Sequence, residues 1–507
     1  MWSYLFFSRK NCKNKFSRDT YSSLILDLFP NRKQPTFSHE MMKPNSMINS
    51  TLISKLASLI GQANVLHGHE TEKWQSDWTG QYHSTPLAVV RPATTNEVAS
   101  ILNFANTHGL PVVPVSGNTG LSGGTACNNS LVLSLERMNR IRSLSPSTRI
   151  AVVEAGVIVG ELDNAARQHD LMFPLSFGGT GSALIGGVLS TNAGGSNVVH
   201  YGSTRDLCLG LEAVMPDGRI LDLMQALPKN NSGFDLKDLF IGAEGQIGVI
   251  TAATFKLYPH PKTYATALVA IDDPGIAPAL LNALQDASDG AVIAYEYMCE
   301  KFVQHYHSLH PEEKRIFDFS SPCILIELAS SSCTSLSEIL QDVLAGAMED
   351  GMVQDAVIAQ SETQRKNLWL LREAAAEISF HKHPVVDTDI AVPLDQVATY
   401  LRLIPPRMKE LDSHYTDIAV AHLGDGNIHY TVWPSRDDES LLQAMRIAID
   451  DQAVALGGTF SAEHGIGLCK LQSMKKHKNC VALEIMRSIK NVLDPNNILN
   501  PGKTIPK

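Results

Sequence analysis

Pro114-Val-Ser-Gly-Asn-Thr-Gly-Leu-Ser-Gly-Gly124 is the stretch on which the fold turns. An apolar strand pattern, Pro111-Val-Val-Pro-Val115, runs straight into it. Gly117, Gly120, Gly123 and Gly124 then let backbone N–H groups turn inward against an anion. The next apolar segment, Ser130-Leu-Val-Leu-Ser-Leu135, reads as another strand. A Rossmann loop must open a helix, and a P-loop must end in Gly-Lys-Ser or Gly-Lys-Thr, so neither describes this segment. Taken alone, a glycine-rich turn is only a turn.

The sequence downstream changes that. Phe173-Pro-Leu-Ser-Phe-Gly-Gly-Thr-Gly-Ser182, Ile185-Gly-Gly-Val-Leu-Ser-Thr-Asn-Ala-Gly-Gly195 and Gly242-Ala-Glu-Gly-Gln-Ile-Gly-Val-Ile-Thr251 are equally rich in small residues. Such loops are poor stabilisers by themselves, because each glycine loses extra conformational entropy on folding. A large flat ligand lying along backbone accounts for them, and a dinucleotide fits.

Around these loops the chain reads as mixed structure. A helix is expected over 51–60, a strand over 87–92, and a helix over 94–105 with Thr94 or Thr95 as N-cap. Further strands are expected at 150–154, 211–215, 220–223 and 248–258, with a helix at 159–169. After Pro259-His-Pro261, longer amphipathic helices (277–287, 335–348, 363–379, 394–403, 441–456) alternate with strands at 323–328 and 418–423. The pattern points to α/β or α+β layering, α+β being the expected class, with one domain over 51–260 and a second over 261–507.

The 507 residues are 44% hydrophobic and 19% charged, enough for a large core without staples. A net charge of -10 leaves no basic excess to neutralise phosphates, so nucleic acid is not the expected partner. The 8 cysteines are scattered without a CxxC pair, which argues against disulfides and iron–sulfur ligation. No apolar run is long enough to span a membrane. Basic residues crowd the start (Arg9, Lys10, Lys13, Lys15, Arg18, Arg32, Lys33), interrupted by Asp19, Asp27 and Glu40. Residues 1–50 read as a disordered extension or an early start with Met41, Met42 or Met47 as the true one. The alternative is a mitochondrial transit segment, which would be poor in acids. The expected location is the cytoplasm, with the mitochondrial matrix as the alternative.

Chemistry-bearing residues gather in the second half. In His422-Leu-Gly-Asp-Gly-Asn-Ile-His429 the Gly-Asp-Gly-Asn core reads as a tight turn between strands, which brings His422 and His429 together. Ser461-Ala-Glu-His-Gly-Ile-Gly467 adds adjacent Glu463 and His464. Two imidazoles and a carboxylate can hold a divalent ion with open positions. Arg372, in Leu368-Trp-Leu-Leu-Arg-Glu373, can clamp a carboxylate bidentately, but in isolation it reads rather as a surface ion pair with a neighbouring acid.

Together, and in this order, these segments resemble the FAD-linked oxidases of the vanillyl-alcohol oxidase superfamily. The diphosphate loop, Thr191-Asn-Ala-Gly-Gly195, Leu239-Phe-Ile-Gly-Ala-Glu-Gly245, the His422–His429 segment, Ala462-Glu-His-Gly465 and Ile498-Leu-Asn-Pro-Gly-Lys503 carry the likeness. It is narrowest to the branch of D-2-hydroxyglutarate dehydrogenase, D-lactate dehydrogenase and the glycolate oxidase flavin subunit. The resemblance implies an FAD-binding PCMH-type domain of two small mixed sheets and a ferredoxin-like cap domain with added helices. It also implies a last segment returning to the flavin domain. Ser116, Gly117, Asn118, Thr119, Gly120 and Ser122 would hold the diphosphate, and Pro174, Gly181, Ser182, Gly186, Ile250 and Asn500 the rest of FAD. The loop lacks the histidine that some relatives join to the flavin, so FAD is expected to be non-covalent. His422, His429 and Glu463 would bind a divalent metal, expected to be zinc. His464 would be the general base and Arg372 the clamp on C1 as a D-2-hydroxy acid is oxidised. A quinone or electron-transfer flavoprotein would take the electrons, oxygen being the alternative, and a homodimer is left open.

Three positions depart from D-2-hydroxyglutarate dehydrogenase: Ala376 where it has Thr, Asp387 where it has Lys, and Thr431 where it has Asn. Asp387 matters most, because a charge pair at ~4 Å is worth about 4 kcal/mol at an effective dielectric near 20. Exchanging attraction for repulsion there predicts a D-2-hydroxy acid other than hydroxyglutarate. A sugar acid or phosphorylated sugar acid such as 4-phosphoerythronate suits it, with D-lactate and hydroxyglutarate itself as alternatives.

Overall fold

Thr94 caps the first long helix of the described chain beyond residue 60. Its side chain accepts from Glu97 N, and the helix Thr95–His108 buries Val98, Ile101, Leu102 and Ala105. The structure is a computed structural model that describes residues 46–507 apart from 314, 315, 317–320, 333 and 334, with side chains from 51 onward. The extension expected over 1–45 lies outside the described residues, as do Cys12 and Cys333. The six described cysteines are free, and no described helix is long and apolar enough to cross a membrane.

The capped helix lies over a four-stranded sheet ordered Val65–Leu66, Ala88–Val90, Leu131–Ser134, Val112–Val115. The last three run parallel and the first antiparallel. Parallel neighbours need a long crossover, normally a helix. Between Val112–Val115 and Leu131–Ser134 that crossover is the glycine-rich loop, as its sequence predicts. Residues 498–500 extend the edge of this sheet: Val112 N donates to Ile498 O (2.7 Å) and Asn500 N to Val112 O (2.8 Å). The chain's last segment thus returns to the first sheet, held by Lys490 Nζ on Asp494, Leu499 O and Gln246 O.

A second sheet runs in the order Ile141–Ser145, Ile150–Glu154, Val249–Lys256, Cys208–Val214, Ile220–Leu223. It is antiparallel throughout, whereas the resemblance implies two mixed sheets. The outer strand pairs are joined by short turns, which force antiparallel order. The short helix Ile185–Thr191 forms within the glycine-rich segment, and Ile185, Val188 and Leu189 anchor it in this sheet's core.

The chain leaves these sheets at Tyr258–Pro259, which pairs with Leu171–Met172, and enters a seven-stranded antiparallel sheet at Thr263–Ala270. Its order is Asp355–Ile358, Thr263–Ala270, Cys323–Ser330, Val292–Met298, Thr416–His422, Asn427–Trp433, Val386–Ala391. Ser50–Lys507 forms one compact unit. One face of the sheet buries Tyr295, Tyr297, Ile390, Ile428 and Tyr430 under the helices Ala277–Ser288, Leu336–Glu349, Val397–Leu411 and Glu439–Ala455. The opposite face packs Met298, Ile418, Val420 and Trp433 against Leu368, Leu371 and Ile378. Directly paired residues share a face, and so do residues two apart on a strand. The pairs Glu296↔His422, Val420↔His429, Asp389↔His429 and Asp387↔Thr431 therefore put all these polar side chains on the second face.

Two helices differ from expectation. The one predicted over 363–379 is two, Glu362–Glu373 and Ala375–Phe380, broken at Ala374. The one predicted to stop at Leu403 runs through Pro405 and Pro406 to Leu411. Burial of Ile404 and Met408 outweighs the backbone bonds the prolines remove.

Candidate active site

The hairpin between Thr416–His422 and Asn427–Trp433 depends on Gly426, at φ 83°, where an added Cβ would meet Val392 O at 2.2 Å. It sets the His422 and His429 rings 5.3 Å apart and nearly perpendicular. The Nε2 atoms of His422, His429 and His464 lie 3.7, 3.4 and 3.8 Å from one atom, Glu463 Oε1. The His464 ring stacks on His429 at 5.3 Å. The four expected residues are thus brought together.

Asp389, fully buried, holds the loop that carries Glu463 and His464. It accepts from the backbone N–H of Ala462 (3.2 Å), Glu463 (3.1 Å) and His464 (2.8 Å), from Asn427 Nδ2 (3.0 Å) and from Lys470 Nζ (3.1 Å). One oxygen each of Asp389 and Glu463 and one ring nitrogen each of His429 and His464 lie within 4.8 Å of one another, close enough for a metal cluster, and His422 is not in that set. With five protein donors already on it, Asp389 is committed to the loop. The same loop is tied to the first half of the chain. Glu244 accepts from Ile466 N and Gly467 N, both at 2.8 Å, and Ser122 Oγ donates to His464 O at 3.0 Å. At Gly194 an added Cβ would stand 2.8 Å from Glu463 Oε2, so the Thr191-Asn-Ala-Gly-Gly195 segment lies against the cluster.

Arg372 is buried, against the surface ion pair that its sequence allows in isolation. Its Nε donates to Glu296 Oε2 (2.8 Å), and Glu296 is itself buried on Val292–Met298. Glu296 Oε1 accepts from His422 Nδ1 at 2.9 Å. One carboxylate thus links the expected clamp to an expected ligand. At the other edge of the sheet, Asp387 Oδ1 accepts from Thr431 Oγ1 (2.7 Å), which contacts Ser379 Oγ (2.9 Å). Arg446 Nη2 donates to Asp387 O (3.0 Å), and its charge also acts on Cys469, Asp450 and Tyr82. Among the described residues Arg446 forms no ion pair.

Burial opposes charge on His422, but Glu296 and Glu463 outweigh it and push its pKa up to about 10. Burial likewise opposes the Glu463 carboxylate, yet the His422 and His429 contacts hold it well below the usual range. For His464, burial lowers the pKa and the His429 charge adds to this, against an opposing pull from Asp389. The buried carboxylates Glu296 and Asp389 and the half-buried Glu463 face the fixed cations Arg372 and Lys470 and the His422 ring, which Glu296 and Glu463 keep protonated. Imidazole nitrogens converging on one carboxylate oxygen fit a divalent cation, which would take the place of the His422 proton.

The glycine loops form a cradle in the first half. An added Cβ at Gly117 would lie 2.4 Å from Ser182 O, and one at Gly186 would lie 3.1 Å from Ser116 Oγ, so residues 116–117 and 182–186 are pressed together. Gly120, Gly178 and Gly181 face open space. A strip of backbone with room above it fits a diphosphate-bearing cofactor. Asn118, at φ 54°, turns its side chain to Ser76 O, and Thr119 lies beside it in the same loop. Asn500 is tied to that loop through Lys503, whose Nζ donates to Asn500 Oδ1 and to Gly124 O. Pro174 O accepts from Asn197, Ile250 sits in the core of the second sheet, and Asn500 Nδ2 donates to Glu244 O. Gly117→Ala should give folded protein that purifies with little FAD. Wild-type FAD content would remove this loop pair from the cofactor site.

Glu296, Asp389, Glu244 and Arg446 are site residues that motif reading misses. Glu296 is an acid inside a strand buried on both faces, so no alternation marks it, and Asp389 lies in an alternating strand where it reads as one more outward-facing acid beside Asp387. Glu244 lies in the glycine-rich segment 242–251, and its positive φ of 50° is the mark of a special turn.

Comparison with known proteins gives the family and the fold. Residues 86–224 match the family described as FAD binding domain, and residues 260–504 match FAD linked oxidases, C-terminal domain. The chain is 34% identical to D-2-hydroxyglutarate dehydrogenase of Stutzerimonas stutzeri, over 90% of this chain and 99% of that one. It is 33% identical to the mitochondrial D-2-hydroxyglutarate dehydrogenase of Bos taurus, over 91% and 85%. The solved structure of p-cresol methylhydroxylase with substrate bound has the same fold, with a TM-score of 0.70 at 16% identity, covering 90% of this chain and 97% of that one.

Proposed function

Because the chain belongs to the FAD-linked oxidase family and is an FAD-dependent hydroxy-acid dehydrogenase, we propose that it oxidises a D-2-hydroxy acid at the Glu463 cluster. The convergence of His422, His429 and His464 on Glu463 Oε1, with Arg372 one carboxylate away, carries the proposal. Arg372 binds the C1 carboxylate through its terminal nitrogens, since Nε is taken by Glu296. His422, His429 and Glu463 hold the metal, for which zinc is our choice. When bound, the ion supplies Lewis-acid polarisation of the 2-hydroxyl, and FAD, held non-covalently, supplies the hydride acceptor at N5. His464 Nε2 takes the hydroxyl proton. A quinone or electron-transfer flavoprotein then removes the electrons.

The distal end of the substrate meets Asp387, Thr431 and Ser379, all acceptors or hydroxyls, and beyond them Arg446. Arg446 is the basic group that Asp387 lacks in the sequence motif, and it offsets part of the charge penalty that Asp387 imposes. This set suits a hydroxylated chain ending in an anion, such as a phosphorylated sugar acid. A second reading, D-2-hydroxyglutarate itself, is favoured by the names of the relatives. A panel of D-lactate, D-2-hydroxyglutarate and D-sugar acids with and without phosphate separates them. The highest kcat/KM for hydroxyglutarate would overturn the first reading. Asp387→Lys should shift the kcat/KM ratio toward hydroxyglutarate by at least about tenfold. An unchanged ratio would take residue 387 out of the distal pocket.

A further inference from the structure

We propose that Glu296 is a positioning residue that sets the metal ligand and the carboxylate clamp together; this rests on the reading of the site given above. The observation is geometric. Glu296 stands opposite His422 in the register of Val292–Met298 and Thr416–His422. Only 1% of it is exposed, so water cannot replace its bonds. His422 Nδ1 lies 2.9 Å from both carboxylate oxygens, Oε1 and Oε2, and Arg372 Nε donates to Oε2 at 2.8 Å.

Each bond has a consequence for the reaction. A carboxylate accepting from Nδ1–H fixes the proton there and leaves the Nε2 lone pair facing Glu463, 3.7 Å away. Carboxylates behind ligating histidines orient the ring and raise its basicity. The bond to Nε fixes the plane of the Arg372 guanidinium, and so the direction in which its two terminal nitrogens meet a substrate carboxylate. A change in either partner is felt by the other through one buried group.

Glu296→Gln tests this because an amide has one acceptor where both neighbours donate. If its oxygen takes the Oε2 place beside Arg372, its NH2 takes the Oε1 place 2.9 Å from His422 Nδ1, opposes the Nδ1–H and weakens the hold that keeps the proton off Nε2. If its oxygen faces His422, its NH2 opposes Arg372 Nε–H and displaces the clamp. Zinc affinity is measured by chelator competition on FAD-loaded protein, and substrate KM and kcat are measured at saturating zinc.

Glu296→Gln should keep its FAD and lose zinc affinity about 10–100-fold, or keep zinc and show a comparable rise in KM. Glu296→Asp keeps the charge but is one methylene short, so it should lose one of the two bonds and one of the two affinities. It also serves if the glutamine variant does not fold. Wild-type zinc affinity and wild-type KM in either variant would overturn the proposal alone. Wild-type protein that takes up no zinc would overturn it together with the reading of the site.

Discussion

His464→Ala yields yellow, FAD-loaded protein whose kcat falls by about 10²–10⁴, the range for losing a positioned general base. The loop around position 464 does not depend on the ring. Asp389 holds it through the 464 backbone N–H at 2.8 Å, and Ser122 Oγ bonds the 464 carbonyl. The ring contributes a stacking contact with His429 and an Nε2 in the cluster. Alanine therefore removes the proton acceptor and leaves the backbone ties in place. The visible spectrum reports FAD, and anaerobic reduction by substrate reports the chemical step. Wild-type rates would show that another group takes the proton.

Asp389→Ala should destabilise the protein by about 3–5 kcal/mol, the cost of stranding one partner of a buried ion pair. Lys470, 4% exposed at its side chain, loses its carboxylate, and the Glu463 and His464 N–H groups lose their acceptor, while Ala462 N–H keeps the 389 carbonyl. Midpoints of denaturant unfolding of FAD-loaded protein measure the loss. Combining it with Lys470→Met should recover part of it, because the buried ammonium is then gone. A loss below about 1 kcal/mol would mean that water enters and solvates Lys470, and that the loop is held elsewhere.

The sequence makes the loops legible and hides the strands behind them. His422, His429, Glu463 and His464 stand in glycine-flanked turns, where polar residues need a reason to be, and the structure brings all four together. The strand–loop–strand reading at 114–124 holds because glycine and proline mark a crossover with no helical period. Glu296 and Asp389 are invisible by the same logic. Val292–Met298 is buried on both faces, so its one acid breaks no pattern. Arg446 sits on an amphipathic helix whose apolar face, Met445 and Ile449, dominates the reading. Its bond to a carbonyl on the sheet edge is a tertiary contact with no local signature. The extended helix through Pro405 and Pro406 is a similar case, in which distant packing overrides a local stop signal.

The most direct test of the account is anaerobic titration of the FAD-loaded protein with D-2-hydroxy acids, before and after a chelator strips divalent metal. The account predicts that one D-acid bleaches the flavin absorbance, that the L-enantiomer does not, and that chelation abolishes bleaching while the protein stays yellow. Flavin that bleaches equally well after chelation would contradict the role given to His422, His429 and Glu463. Protein that cannot be loaded with FAD would contradict the account as a whole.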